Sequence, residues 1–150
     1  KGYHGDPAKT AETFRIINGH RYVAAGDLVR VLGGGRIELL GRGSAVVNTG
    51  GEKVFPSEVE EALLDHPAVE DAAVFGVPDP RFGEAVVAAV ALHDGFSATE
   101  RELSGFVGER LAGYKKPRKI LIRSSLDRSP SGKLSLAKLK QAVIETKAGA

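Results

Sequence analysis

Along this chain the spacing of apolar and polar positions changes period several times, and each change marks an element boundary. In "RYVAAGDLVRV" (Arg21 to Val31) and "RIELLGRG" (Arg36 to Gly43), short apolar runs lie between glycines. They read as two extended segments joined at Gly33-Gly34-Gly35, a glycine hairpin. In "PSEVEEALLDHP" the period becomes helical: Val59, Ala62 and Leu63 share one face, Pro56 suits the first helical position and Pro67 stops the run. Glu58, Glu60 and Glu61 gather near its amino end, where the helix dipole favours negative charge. "AVEDAAVFGV" and "EAVVAAVAL" are strand-length apolar runs separated by the turn "PDPRFG". "SATERELSGFVGERLAG" opens with a Ser97–Glu100 capping pair and repeats Leu103, Phe106, Val107 and Leu111 at helical spacing. "RKILI" is a third strand, and "SLAKLKQAVIETK" a last helix capped by Ser135.

Two strands joined by a tight turn pair antiparallel, and a helical crossover brings a third in parallel. The predicted fold is therefore α+β. A small carboxy-terminal domain, residues 44–150, has a three-stranded mixed sheet flanked by helices, preceded by a β-hairpin remnant in residues 1–43. An isolated hairpin is marginal in water, so Lys1 to Arg42 is expected to be partly disordered, covered by a larger partner domain, or paired with another copy in a homo-oligomer.

Composition narrows the chemistry. A chain of 150 residues is long enough for about one domain with its own core. With 21 basic and 19 acidic residues the net charge is +2, too small to argue for nucleic acid. The chain has no cysteine, which excludes a disulfide framework, thiolate catalysis and zinc–cysteine sites. His4, His20, His66 and His93 show no metal-ligand spacing, so no metal site is expected. No apolar run approaches the ~18 residues of a membrane span, and the amino end does not read as a signal peptide, so a cytoplasmic protein without a transmembrane segment is expected. The chain starts at Lys1 and contains no methionine, which suggests a fragment of something longer.

Several short motifs are open to two readings. In "NTGGEKVFP" the pair Gly50-Gly51 either lets a backbone or narrow ligand approach closely, or simply serves a turn that needs positive φ. "RSPSGKLS" mounts Lys133 on a Pro-Ser-Gly turn: a solvated cation, or one delivered to charge developing during group transfer. A nucleotide P-loop does not fit, because Asp127 stands where glycine is needed and Leu134 follows the lysine. "YKKPRK" sets Tyr114 beside Lys116 and Arg118, able to stack a base and neutralise phosphates, or to form a plain solvated face. Asp27 after Gly26 suits a ribose diol, and Arg42 after Gly41 suits hydroxyl or phosphate oxygens.

Taken in succession, "AAGDLVR", "LLGRGSAVVNTGGEKVFPSEVEEALLDHPAVEDAAVFGVPDPRFGEAVVAAV", "LAGYKKPRKI" and "SPSGKL" resemble the adenylate-forming superfamily. Within it the chain looks most like the end of an acyl-CoA synthetase, closest to actinobacterial enzymes of the fatty-acid and steroid side-chain type. The resemblance implies an AMP-forming acid–thiol ligase using ATP, CoA and Mg²⁺. Its phosphate loop and acyl pocket lie in a large amino-terminal domain, so this chain alone is expected to be inactive. By that resemblance Asp27 holds the ribose of ATP with help from Arg42, and Ser44 is the hinge of a swinging small domain. Gly50 and Gly51 line a pantetheine tunnel with Glu52 beside it. Tyr114, Lys116 and Arg118 meet the CoA nucleotide, and Phe82 adds an aromatic wall. Lys133 is the lysine that bridges the substrate carboxylate and the α-phosphate. Two departures stand near it: Leu126-Asp127 replaces the family's Leu-Pro, and Leu136 stands where a basic residue is common. The competing readings are an adenylation domain that loads a carrier protein, and a noncatalytic polyanion-binding module.

Overall fold

The amino end builds two hairpins, where the glycine pattern suggested one. The computed structural model describes residues 2–148. Helix α1 (Pro7–Thr13) starts at Asp6, whose carboxylate accepts the Lys9 amide at 2.8 Å, with Pro7 at the first helical position. Strands β1 (Phe14–Ile17) and β2 (His20–Val23) pair antiparallel around Asn18-Gly19, both with positive φ (50° and 77°). Asn-Gly is a strong two-residue hairpin signal, because both central positions must adopt positive φ. Arg21 to Val31 is therefore not one extended run. It breaks at Gly26 (φ 86°), and β3 (Asp27–Val31) pairs with β4 (Ile37–Arg42) across Gly33–Gly35, as the glycines predicted. Residues 1–44 form one compact unit and residues 45–150 a second. Among the described residues of the first unit none is fully buried.

The second unit holds the α+β fold. Strands β5 (Val47–Thr49) and β6 (Glu52–Val54) form a short hairpin, followed by α2 (Pro56–Leu64). Then come β7 (Val69–Asp79), β8 (Gly83–Leu92), α3 (Glu100–Arg110), β9 (Lys119–Arg123) and α4 (Leu136–Ala148). β7 and β8 pair antiparallel, and β9 returns through α3 to lie parallel to β8 (Val87 opposite Lys119), the arrangement expected of a helical crossover. The sheet has five strands rather than the predicted three, since β5 joins β8 at Thr49–Gly83 and carries β6 with it. Strands of three residues are too short for a period to register. The α3 cap also lies further on than predicted: Thr99 accepts the Glu102 amide, and Glu102 reaches back to the Thr99 amide.

β8 is buried on both faces, which is why its sequence is a continuous apolar run. Val86, Ala88 and Val90 face a core shared with Val59 and Leu63 of α2 and with Leu103 and Val107 of α3. Val87, Ala89 and Ala91 face a second core with Phe75, Leu126, Leu139 and Val143, the last two from α4. The sheet is thus clamped between helices on both sides.

Candidate functional site

The Gly50-Gly51 turn joins β5 to β6, with φ of 59° and 87° at the two glycines. That backbone alone calls for glycine at both positions. The two glycines differ in surroundings, however. A Cβ on Gly50 would meet Phe82 Cδ1 at 3.3 Å, whereas one on Gly51 would point into open space. Phe82 is set there by local chemistry. The Asp79 carboxylate accepts the amides of Arg81 (3.0 Å) and Phe82 (3.1 Å), and the Gly50 amide donates to the Phe82 carbonyl at 2.8 Å. The Arg118 guanidinium lies 3.9 Å from the Phe82 ring centre and that of Arg81 lies at 5.0 Å. Gly50, Phe82 and Arg118, far apart in sequence, therefore form one surface. Glu84 braces it from beneath, accepting the Asn48 amide at 2.8 Å while lying so close to Gly76 that a Cβ there would sit 2.7 Å from its Oε1. Glu52 is exposed at the start of β6, opposite Thr49.

Next to Arg118 runs an open groove of about 370 Å³ lined by Ser104, Gly113, Tyr114, Lys116, Pro117 and Arg118. The Ser104 hydroxyl donates to the Pro117 carbonyl at 3.0 Å and the Arg118 amide donates to the Val86 carbonyl at 2.9 Å, so the segment is tied to α3 and the sheet. Lys116 lays its stem over Gly108, where a Cβ would approach its Cδ to 3.2 Å. Lys115 is committed elsewhere: its ammonium pairs with Glu58 at 2.5 Å in a half-buried contact that joins this segment to α2. The groove's cations that make no ion pair among the described residues are thus Lys116 and Arg118, the latter stacked on Phe82, with the Tyr114 ring exposed beside them.

Lys133 sits elsewhere on the same unit. Its loop is closed on itself: the Ser129 amide donates to the Lys133 carbonyl at 2.8 Å, the Lys133 amide to the Ser129 hydroxyl at 3.1 Å, and Gly132 turns with φ 76°. The Lys133 side chain is exposed, and its ammonium makes no ion pair among the described residues. Asp127 explains the missing proline of the Leu-Pro pattern. It adopts φ 52°, a left-handed conformation open to Asp but closed to the proline ring, which fixes φ near −65°. Leu136 opens α4 and is partly exposed.

The loop is held by Arg128, a residue the motif reading passed over. Its guanidinium donates to both oxygens of Asp71 (2.7 and 2.9 Å), to the Ala72 carbonyl (3.2 Å) and to the Gly132 carbonyl (3.2 Å). Paired in this way, Arg128 is held firmly in its charged form. Glu60 accepts the Val74 amide at 2.8 Å beside it; burial pushes its carboxyl above the usual range, while that amide and Arg128 pull the other way.

In the first unit, Asp27 and Arg42 are the opening register pair of β3 and β4, with Arg42 Nε 3.6 Å from the Asp27 carboxylate. Ser44 is exposed in a single 3₁₀ turn, Gly43–Ala45, at the boundary between the two units.

Residues 58–133, from Glu58 to Lys133, match the AMP-binding enzyme C-terminal domain. The chain belongs to that family. It is 52% identical over 132 residues to the medium/long-chain-fatty-acid–CoA/3-oxocholest-4-en-26-oate–CoA ligase of Mycobacterium marinum, a match covering 88% of this chain and 24% of that protein. Identity to the 3-oxocholest-4-en-26-oate–CoA ligase of Rhodococcus rhodochrous is 54%, with the same coverage. The chain thus spans about a quarter of the length of these curated relatives. Among solved structures it is similar to ATP-bound MatB from Rhodopseudomonas palustris (34% identity, TM-score 0.81, covering 95% of this chain and 28% of that one). It is also similar to o-succinylbenzoate CoA synthetase from Bacillus subtilis in complex with its acyl-adenylate intermediate (36% identity, TM-score 0.80, 93% and 28%). Within this AMP-binding C-terminal domain the lysine loop and the Phe82 surface attach at two ends of one strand. Arg128 grips β7 at Asp71 and Ala72, whereas Phe82 follows the turn that begins at its other end, Asp79. At the usual rise per residue those ends are on the order of 25 Å apart.

Proposed function

We propose that this domain serves an ATP- and CoA-dependent acid–thiol ligase in the cytoplasm, together with a larger adenylate-binding domain. In the first half-reaction a substrate carboxylate attacks the α-phosphate of ATP, releasing pyrophosphate and forming an acyl-adenylate. In the second the CoA thiol attacks the acyl carbonyl, and AMP leaves. The kinship at 52–54% identity favours an apolar acid of the fatty-acid or steroid side-chain type. Lys133 acts in the first half-reaction, where its cation steadies charge shared between the carboxylate and the α-phosphate. The Gly50–Phe82 surface acts in the second, with Gly51 facing the passage of the pantetheine arm, Glu52 beside it, and Tyr114, Lys116 and Arg118 meeting the nucleotide of CoA. Asp27 and Arg42 hold the ATP ribose, and Ser44 is the hinge. Among the described residues no group of three or more His, Asp or Glu is arranged to hold a metal ion, so Mg²⁺ is assigned to the ATP phosphates and the larger domain.

The observation that carries this reading is the separation of two equipped sites along β7. A lysine that makes no ion pair among the described residues stands on a loop fastened at the Asp71 end of β7, and a glycine–aromatic–arginine surface lies at the Asp79 end. The two strand ends are on the order of 25 Å apart, so the two sites cannot serve one reaction centre together. They can serve it in turn if the domain rotates between half-reactions. The test is Lys133→Ala in the complete ligase, with each half-reaction assayed separately. Adenylate formation is expected to fall roughly 10²–10³-fold, while a supplied acyl-adenylate still yields thioester at near the normal rate. If both halves run normally, Lys133 is a solvated turn residue and this assignment is wrong.

A further inference from the structure

β7 is an edge strand of the five-stranded sheet, so among the described residues one side of its backbone has no strand partner. Two side chains from outside the sheet occupy that side. Glu60 of α2 accepts the Val74 amide, and Arg128 donates to the Ala72 carbonyl. Satisfying two edge groups is an ordinary structural duty. Arg128, however, uses only one of its bonds for it. Two more hold Asp71 in a fork-to-fork pair, and the last goes to the carbonyl of Gly132, the residue immediately before Lys133. The guanidinium therefore bridges a strand packed on both cores to the peptide that carries the lysine.

We infer that Arg128 is a positioning residue for the adenylation step: anchored to Asp71 and Ala72, it fixes the Ser129–Lys133 turn so that the lysine is presented by the whole domain and not by a floppy loop. The inference rests on the proposed role of Lys133 and adds a residue to it. Without the clamp the turn keeps its own Ser129–Lys133 hydrogen bonds and the packing of Leu134 on the second core, but loses its hydrogen-bonded tie to β7. The turn also contains Ser131 and Gly132, small residues that offer little packing of their own. A planar guanidinium meets this geometry because it donates in three directions at once. A lysine could satisfy Asp71 or Gly132, but its single ammonium is poorly shaped to fork onto the carboxylate and reach both carbonyls. Asp71 in turn is the fixed point, set where the register between β7 and β8 shifts between Val69 and Asp71.

Two measurements separate this inference from the reading beneath it. The first is backbone amide relaxation in the present chain, comparing the wild type with Arg128→Ala and Asp71→Asn. Order parameters for Ser129, Ser131, Gly132 and Lys133 are expected to fall from about 0.85 to below about 0.6 in both variants, with β7 and β8 unchanged. The second is the pair of half-reactions in the complete ligase carrying the same variants. Arg128→Ala is expected to lower the adenylation kcat by roughly 10- to 100-fold, the usual consequence of misplacing a reacting group by about 1 Å. Thioester formation from supplied acyl-adenylate should stay within about twofold, and Arg128→Lys should restore only part of the loss. Should Arg128→Ala not fold, Asp71→Asn, which keeps the side-chain shape, carries the same comparison. A turn that stays ordered in the variants overturns the inference, and so does an equal fall in both half-reactions. If Lys133→Ala cripples adenylation and the Arg128 variants do not, only the clamp fails. If Lys133→Ala is harmless, the underlying reading fails.

Discussion

Gly51 separates turn geometry from ligand passage, and two substitutions there read the two apart. Its φ of 87° is a conformation that costs an L-residue roughly 1–2 kcal/mol, and a Cβ at this position meets no protein atom within 4 Å. Gly51→Ala should therefore destabilise the unit of residues 45–150 through backbone strain alone. For a domain of this size that lowers Tm by roughly 4–8 °C. Asparagine tolerates left-handed φ much better, so Gly51→Asn should recover most of that loss. Both variants nevertheless place a side chain in the open space beside the Gly50–Phe82 surface, where the proposed pantetheine arm passes. In the complete ligase both should slow thioester formation from a supplied acyl-adenylate by tenfold or more, and leave adenylate formation within about twofold. Thermal melts followed by circular dichroism give the first quantity, and the two half-reaction assays give the second. If Gly51→Asn melts like the wild type and also forms thioester at the wild-type rate, the glycine serves the turn only.

Glu60 supplies a pH test of the sheet edge. Its carboxyl titrates above the ordinary value because burial opposes its charge, so its contribution to stability is full below about pH 4.3 and is lost as pH rises through the raised folded value. Glu60→Gln should keep the bond to the Val74 amide and be increasingly more stable than the wild type as pH rises from 4 towards 7. A stability difference that is the same at every pH, in melts across that range, refutes the argument. Asp127→Pro, which would restore the more usual Leu-Pro pattern, should instead disorder the start of the lysine loop, since φ 52° is closed to proline. Its cost is expected at roughly 1–3 kcal/mol, read from denaturant midpoints, and an unchanged midpoint would show that the backbone there is free to rearrange.

The parts of this fold legible in the sequence are those with a period long enough to count. α2, α3 and α4 repeat apolar residues at helical spacing, and β7 and β8 are apolar because the sheet is covered on both faces. β5 and β6 were hidden because three-residue strands carry no period, so the sequence offered the glycine turn between them but not the strands on either side. α1 and the first hairpin did leave signals, Asp6-Pro7 and Asn18-Gly19, which the glycine-rich stretch further on overshadowed. The surface of Gly50, Phe82 and Arg118 was legible residue by residue, but its assembly was not. Arg81 and Glu84 joined it only once the chain had folded. Arg128 and Asp71 stand 57 residues apart, and neither has a local pattern that points to the other.

A domain that swings between half-reactions, as proposed above, must not bend, and much of this unit's construction bears on that. Both faces of β8 are packed against helices, and many of its inward positions are alanine. β7, the partner that joins the lysine end to the Phe82 end, is exposed along one edge, and there its backbone is held by Glu60 and Arg128. The two ends also differ in how they present their chemistry. Phe82 and Gly50 are fixed by backbone hydrogen bonds within a turn, whereas Lys133 extends from a turn that is itself fastened to the sheet. A loose loop would sample many positions and pay an ordering cost each time the lysine took up the role proposed for it. Fastening the loop shifts that cost to folding. What remains to move, in the function proposed above, is the domain as a body, with Ser44 in the exposed single turn Gly43–Ala45 as its proposed hinge.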